Sequence, residues 1–324
     1  MTVKEKIVDI FEHNRGRFLS GEELGEKIGC TRGSVWKAVK LLQNDGYDIV
    51  SVTNKGYCLL ENNDVISEEG IKSFLKDDTV PFDFHIFKSI DSTNIKMKEL
   101  ASDGAPEWTV VISGEQTKGR GRLGRTFFSP SDTGIYITIL LRPQMSAEDA
   151  IKITTAAAVA VAEAIEEVSD KKADIKWVND VYLSGRKVCG ILTEAAFGLE
   201  YGGMEYVFSG IGVNVYKPQN DFPDDIKNIA GYVFSERKSN MRNRIAAEIL
   251  TRFAKYYKDI ENSSYFVGYE KRLLWKGEKI NIIFPSGTTP ATLEGVDKNC
   301  RLIVRYDDGK EGIVSSGEIS IRKA

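Results

Sequence analysis

Gly119-Arg120-Gly121-Arg122-Leu123-Gly124, introduced by Gly114-Glu115-Gln116-Thr117-Lys118 and followed by Arg125-Thr126-Phe127-Phe128-Ser129-Pro130, has the composition of a loop that surrounds an anion. Its three glycines remove the Cβ atoms that hold a backbone off a ligand. Arg120, Arg122 and Arg125 bring planar, permanently charged donors to the same place. The expected guest is a phosphate or a carboxylate. Ordering such residues costs about 1–2 kcal/mol each, so the loop is expected to become fixed only around its ligand, and a loop of that kind can act as a switch. The spelling satisfies Gly-x-Gly-x-x-Gly, but a dinucleotide fingerprint needs a strand running into its first glycine and a helix opening at its last. Here the predicted strand Thr109 to Ser113 ends early, and Gly124 is followed by two aromatics, Pro130 and the alternating strand Ile135 to Leu141. A P-loop fails because Arg120 and Gly121 stand where lysine and a magnesium-binding hydroxyl belong. A kinase glycine loop lacks its companion motifs. The hexamer alone leaves open an arginine–glycine surface loop that touches nucleic acid.

At 324 residues the chain predicts two or three domains. A net charge of −3 excludes a uniformly basic nucleic-acid coat and permits a local basic face. Met1 to Glu12 is charged throughout and no stretch has a membrane-spanning length, which predicts no membrane partner and a cytoplasmic location. Cys30, Cys58, Cys189 and Cys300 are far apart, without metal-ligand spacing, and read as reduced thiols. With only His13 and His85 in the chain, histidine triads and histidine metal sites are poor candidates.

Residues 1–62 predict a winged helix-turn-helix. Val3, Ile7, Ile10 and Phe11 repeat at helical spacing, and Ser20-Gly21-Glu22-Glu23 spells a capping box for a second helix that Gly29-Cys30 ends. A third helix runs from a Thr31 cap to Asp45-Gly46, and its polar face carries Arg32, Ser34, Lys37 and Lys40. Tyr47 to Val52 and Tyr57 to Leu60, joined through Asn54-Lys55-Gly56, form the wing. A small module for protein contacts is the plainer alternative, since acids and bases are balanced over these residues. Between Arg32 and Lys40, however, there are three cations and no acid, which favours DNA, with Lys55 added from the wing. So few phosphate contacts hold DNA weakly, and a two-fold dimer on two half-sites is expected. Glu61-Asn62-Asn63-Asp64 reads as a polar linker.

Residues 66–274 have the pattern of an α/β core. Ser67 to Leu75 predicts a short helix and Asp83 to Lys88 a strand. Asp91-Ser92-Thr93-Asn94 then opens the helix Ile95 to Ala101, serving either as a plain N-cap or as a polar surface for a ligand. Ala147 to Val168 predicts a long alanine-rich helix, and Asp174 to Leu183 with Gly185 to Glu194 a hairpin around Ser184-Gly185. Within that hairpin Lys187 lies among apolar residues, pointing either at solvent or into a site. Tyr206 to Val215 carries Gly210 and Gly212 where a ligand or a backbone can approach closely. Helices are expected over Asn243 to Ile260 and Tyr265 to Leu274, and residues 275–324 predict five short strands, a small SH3-like barrel.

Taken in order, Ser92-Thr93-Asn94, Gln116 before Gly119 to Arg125, Lys176-Trp177-Val178-Asn179-Asp180, Arg186 to Leu192 and Gly210 to Asn214 resemble the biotin protein ligases across essentially the whole chain. The amino-terminal winged helix and the segment Gly317 to Arg322 are similar to the bifunctional type, in which ligase and biotin operon repressor share one polypeptide. The resemblance implies an α+β multidomain protein: a winged helix-turn-helix, a central mixed sheet with helices like that of class II aminoacyl-tRNA synthetases, and an SH3-like carboxy-terminal barrel. It implies that biotin and MgATP give biotinyl-5′-AMP, whose biotinyl group passes to a lysine of a biotin carboxyl carrier domain, and that the adenylate-bound homodimer binds operator DNA. By the same resemblance Lys187 and Arg122 serve catalysis, and Ser92, Thr93, Asn94, Gln116, Gly119, Arg120, Gly121, Arg122, Lys187 and Gly190 hold biotin and its adenylate. Phe127, Asn179, Asn214 and Arg322 are the implied nucleotide contacts, Asp180 an Mg²⁺ ligand, and Arg32, Ser34, Lys37, Lys40 and Lys55 the DNA contacts. In two places the chain departs from the family pattern: Val178 stands for the frequent proline, and Phe127 for the frequent tryptophan, which weakens stacking on adenine. A lipoyl ligase and a small-molecule-sensing regulator without catalysis are the competing functions.

Overall fold

The computed structural model describes residues 1–76, 79–146, 149–197, 204–315 and 319–324. The chain divides into two compact units, Met1–Asp77 with Glu236–Ala247, and Asp78–Ser235 with Glu248–Ala324.

In the first unit α1 (Val3–Glu12), α2 (Gly21–Ile28) and α3 (Arg32–Asn44) precede the wing strands β1 (Ile49–Val52) and β2 (Gly56–Leu59) and the short α4 (Glu68–Lys72). Each of the first three helices begins where a hydroxyl relieves the free amides of its first turn. Thr2 forms a full capping box with Glu5, which the sequence reading passed over. Ser20 accepts from the Glu23 amide at 3.0 Å, and Thr31 accepts from the Ser34 amide at 3.2 Å. The turn between α2 and α3 passes through Gly29 at φ 77°, a left-handed conformation that favours glycine. The apolar faces of the three helices meet in one core of Ile7, Phe11, Leu24, Val35, Val39 and Leu42, closed by Ile49 and Leu59 of the wing. Burial of each such side chain contributes about 1.5–3 kcal/mol.

The expected linker is not a linker. Asn63 and Asp64 are buried, and the unit that holds the winged helix extends past residue 62 and takes in 236–247. Asp64 Oδ2 accepts from Arg242 Nε at 2.8 Å and Oδ1 from the Arg242 amide at 3.0 Å, while Arg242 Nη2 donates to the Asp64 carbonyl at 2.6 Å. The Asn63 side chain accepts from the Asp48 amide at 3.1 Å, and Arg15 Nη1 donates to the Asn63 carbonyl at 2.7 Å. Polar composition suggested solvent because the partners lie elsewhere in sequence, 15 and 48 residues away for Asn63 and 178 for Asp64.

The second unit holds two sheets. The larger has the order β3-β4-β5-β9-β8-β7-β6, from β3 (Asp83–Phe87), β4 (Thr109–Ser113), β5 (Gly134–Leu141), β6 (Ala173–Lys176), β7 (Asp180–Leu183), β8 (Arg186–Phe197) and β9 (Met204–Asn214). β3 and β4 run parallel and every other neighbouring pair antiparallel, which makes the sheet mixed, as expected. The first arm of the predicted hairpin is two strands, β6 and β7, with the Trp177–Val178 peptide, in the cis form, between them. α5 (Thr93–Ser102) packs through Met97 and Ala101 on Val111, Leu140 and Phe208. α6 (Ala150–Ser169) is buried along most of its length, and the expected residues 147 and 148 lie outside the described ones. α7 (Met241–Lys258) and α8 (Phe266–Lys271) follow.

The smaller sheet is the expected SH3-like element. It is antiparallel, of order β13-β12-β11-β10-β14, from β10 (Lys279–Phe284), β11 (Gly287–Val296), β12 (Leu302–Tyr306), β13 (Glu311–Val314) and β14 (Ser320–Lys323). Gly317 and Glu318 lie outside the described residues. The Trp177 indole donates to the Cys300 carbonyl at 2.8 Å, which ties this sheet to the larger one.

Asp64 and Arg242 are both buried and joined by an ion pair and hydrogen bonds, so removing one strips the other of those contacts. Asp64→Ala is expected to cost about 3–5 kcal/mol, read as an earlier denaturant midpoint for the amino-terminal unit; an unshifted midpoint would show the pair to be dispensable.

Candidate active site

The floor of the site is a glycine-rich patch of β8 and β9. Gly190 stands opposite Gly212 in the antiparallel register, and Leu192 opposite Gly210. A Cβ on Gly212 would lie 2.5 Å from Phe127 Cε1, and one on Gly210 would lie 2.1 Å from Asn94 Oδ1. The glycines therefore seat Phe127 and Asn94 against the sheet. Phe127 also meets Tyr136 edge-on, with ring centroids 6.4 Å apart.

One end of the site is polar. Ser92 occupies the N-cap position of α5 without capping it through its side chain. Gln116 Oε1 accepts from the Thr93 amide at 2.8 Å and from Thr93 Oγ1 at 3.0 Å, while its Nε2 donates to Ser129 Oγ at 3.0 Å. Asn94 Nδ2 donates to Glu194 Oε2 at 2.8 Å, its Oδ1 accepts from Thr138 Oγ1 at 2.8 Å, and Glu194 Oε1 is 3.5 Å from Arg120 Nη1. Sequence reading missed Glu194 and Ser129. Glu194 lies inside β8, three residues before its end at Phe197.

The arginine loop closes on itself. Its neck is fixed by the Phe127 amide donating to the Gly119 carbonyl at 3.0 Å and the Gly121 amide donating to the Arg125 carbonyl at 2.7 Å. Its tip is a single tight turn with Leu123 at φ 57° and Gly124 at φ 72°. Arg122 Nη1 donates to Asn179 Oδ1 at 3.0 Å, and Asn179 Nδ2 in turn donates to the Ile191 carbonyl at 2.7 Å. The loop is thereby pinned to the strand that carries Lys187.

Lys187 points into the site. Its Nζ lies 2.6 Å from Asp180 Oδ1, an ion-pair distance with off-line hydrogen-bond geometry. Its backbone is held by Ile229 and Gly231, each at 2.8 Å, and Asn214 Nδ2 donates to the Gly231 carbonyl at 3.0 Å. Lys176, quoted in a motif but not singled out from sequence, lines the same cavity with Nζ 5.5 Å from the centroid of the Trp275 ring. Burial lowers the Lys176 ammonium from the usual lysine range; Asp180 opposes this, while Lys187, Arg322 and Arg125 add to it. Burial likewise lowers the Arg122 guanidinium, against Asp180 and with Arg125.

These groups surround a cavity of about 500 Å³, a size ordinary for a small-molecule site. Ser92, Thr93, Asn94, Gln116, Arg120, Gly121, Arg122, Phe127, Asn179, Asp180, Lys187, Gly190, Asn214 and Arg322 all line it. Gly119 sits at the neck of the loop, where a Cβ would lie 2.3 Å from the Phe127 carbonyl oxygen. Among the described lining residues, Arg120, Arg122, Arg125, Lys176, Lys187 and Arg322 are cationic and Asp180 alone is acidic. Such a cleft suits a ligand with several negative charges next to an uncharged part that settles on Phe127, Ile191 and Leu192. Among the described residues no three His, Cys, Asp or Glu side chains gather to hold a metal ion. An Mg²⁺ ion here fits as a partner of substrate phosphates with one carboxylate, Asp180. The four cysteines are free thiols, and burial pushes the Cys189 thiol up, away from reactivity.

On the first unit Arg32, Lys37, Lys40 and Lys55 are exposed. Ser34 is half-buried, with Oγ 3.0 Å from Thr31 Oγ1, so part of its hydrogen-bonding capacity goes to the helix cap.

Comparison with known proteins bears on both regions. Residues 86–214 match the biotin/lipoate A/B protein ligase family, residues 3–58 an HTH domain, and residues 277–322 the biotin protein ligase C-terminal domain. The bifunctional ligase/repressor BirA of Bacillus subtilis is 32% identical over 322 residues, covering 97% of this chain and 98% of that protein. The protein of the same name from Escherichia coli is 28% identical over 334 residues, covering 100% and 98%. Among solved structures, the biotin protein ligase from Aquifex aeolicus in complex with biotin and ATP has a TM-score of 0.64 and 27% identity, covering 75% of this chain and 99% of its own.

Proposed function

The chain belongs to the bifunctional ligase/repressor (BirA) family, and from that premise we propose that it makes biotinyl-5′-AMP from biotin and ATP, transfers the biotinyl group to a carrier-protein lysine, and represses genes through operator DNA. The observation that carries the reading is that Lys187 and Arg122 line one cavity above a glycine-lined floor. In the first step a biotin carboxylate oxygen bonds to the α-phosphorus of ATP and the bond to the β-phosphate oxygen breaks, releasing pyrophosphate. Carboxylate and phosphate repel each other; Lys187 and Arg122 offset that repulsion as the two anions approach. The polar end formed by Ser92, Thr93, Gln116 and Arg120 receives the uncharged ureido head, and Phe127 supports the adenine. Lys176, Arg125 and Arg322 offer charge to the departing pyrophosphate, and Mg²⁺ enters with ATP as part of the substrate. In the second step the carrier lysine amine bonds to the biotinyl carbonyl and AMP leaves.

Biotin transfer to a carrier domain in the presence of ATP tests the first half of this reading, and labelled lipoate in place of biotin tests the related ligase class. Arg122→Gly removes both the guanidinium and the Asn179 contact that pins the loop. It is expected to slow adenylation about 10²- to 10³-fold and to release the adenylate into solution; full retention of adenylate by the variant would remove Arg122 from the role.

The lowered Lys176 pKa has a consequence for pH. The ammonium loses its proton below the usual lysine range, so adenylation falls on the alkaline side earlier than an ordinary lysine would make it fall. Lys176→Arg keeps the charge at high pH and is expected to move that limb upward; an unchanged limb assigns the titration to another group.

The DNA-binding state is the adenylate-bound homodimer. The arginine loop has a defined neck before any ligand arrives; an adenylate that draws Arg120, Arg122 and Arg125 onto itself changes the surface around residues 119–125, and the carrier domain competes for that surface. Sedimentation with biotin and ATP is expected to show tighter self-association than without them, and an equal dimerisation constant in both would separate ligand binding from assembly.

A further inference from the structure

Exposed large apolar side chains are few among the described residues, and five of the nine lie in the first 52 positions: Met1, Phe18, Trp36, Leu41 and Val52. Apart from the chain terminus they sit on or beside the elements that carry the DNA-facing cations. Trp36 is the largest of them, with 52% of its surface exposed. At about 100° per residue, the buried stripe of α3, formed by Val35, Ala38, Val39 and Leu42, lies opposite a face centred on Gly33, Lys37 and Lys40. Trp36 stands on the edge of that face next to Arg32, and Leu41 on the other edge. An indole left in water beside cations, on a helix with no acid from Arg32 to Asn44, fits a partner that is negative along its backbone and apolar at intervals inside. Duplex DNA has that character: phosphates flank a major groove into which thymine projects its C5 methyl group.

We propose that Trp36 determines sequence specificity, covering thymine methyl groups in the major groove while Lys37 and Lys40 bind phosphate. Because Gly33 has only the Thr31 hydroxyl near the position of a Cβ, at 3.8 Å, the start of the helix can approach base edges closely. The division of labour follows from the chemistry. Phosphate contacts by Lys37 and Lys40 set affinity and salt dependence without reading sequence. An uncharged indole contributes nothing to counterion release and discriminates by shape and apolar contact. The inference rests on the repressor half of the proposed function.

The test uses the full chain with biotin and ATP, and a duplex selected from a random pool, synthesised with thymine or with uracil, which lacks the methyl group. Wild-type binding is expected to weaken about fourfold for each contacted methyl removed. Trp36→Ala is expected to bind the thymine duplex as weakly as wild type binds the uracil duplex, to be indifferent to the exchange, and to keep the wild-type salt slope. Lys37→Ala should weaken both duplexes equally and lower that slope by about 0.9. A Trp36→Ala protein as sensitive to uracil as wild type overturns the inference and leaves the repressor reading standing. Failure of the wild-type chain to select any duplex overturns both.

Discussion

Lys187 and Asp180, 2.6 Å apart, anchor the site, because among the described lining residues Asp180 is the one acid set against six cations. Five further cations line the cavity. Two like charges about 4 Å apart repel by about 4 kcal/mol at an effective dielectric near 20, so gathering them is tolerable only if each finds a partner or a ligand brings one. Arg122 is turned onto a neutral amide, Asn179, Arg120 faces Glu194, and Lys176 lies over the Trp275 ring. A cleft so arranged is poised for polyanions, and the lowered Lys176 and Arg122 pKa values are the same repulsion and burial seen from the proton's side.

The glycines determine where an uncharged ligand can lie. Gly190 and Gly212 face each other on two antiparallel strands and Gly210 faces Leu192, so one surface of the sheet comes within contact of Phe127 and Asn94. A side chain at any of the three would lift what rests there. The arginine loop needs glycine for two different reasons: at Gly119 the neck approaches another backbone, and at Gly124 the tip turns with φ at 72°. Its neck is hydrogen-bonded through its own backbone, so the guanidinium groups start from a defined place.

Local chemistry was legible in the sequence, and distant partners were not. The caps at Ser20 and Thr31, the turn at Gly29 and the strand–turn–strand of the wing are each set by residues within a few positions of one another, and each stands where the pattern placed it. Lys187 illustrates the boundary. Period-two alternation left two orientations open, and Asp180 across the hairpin, together with backbone bonds to Ile229 and Gly231, fixes the inward one. Glu194, Lys176 and the buried Asn63–Asp64 pair were missed or misread for a common reason. Their partners, respectively Arg120 and Asn94, Trp275, and Arg15 and Arg242, are brought by the fold from elsewhere in the chain. Composition cannot distinguish a polar residue facing water from one whose partner arrives from far away.

The amino-terminal unit explains why control by assembly is physically reasonable. Its face offers Arg32, Lys37 and Lys40 from one helix and Lys55 from the wing, all exposed. With a slope near −0.9 per neutralised phosphate, four contacts lose about two decades of affinity between 50 and 200 mM salt, leaving a single unit a poor binder in a cell. In the proposed dimer, two units on one duplex would double the contacts, and the state of assembly would then govern occupancy steeply. Under that proposal a ligand held by the arginine loop in the catalytic unit would need no direct route to α3. Shifting the population of dimers by a few kcal/mol, within the range of ordinary allosteric coupling, is enough to make an adenylate in one unit felt as DNA binding by the other.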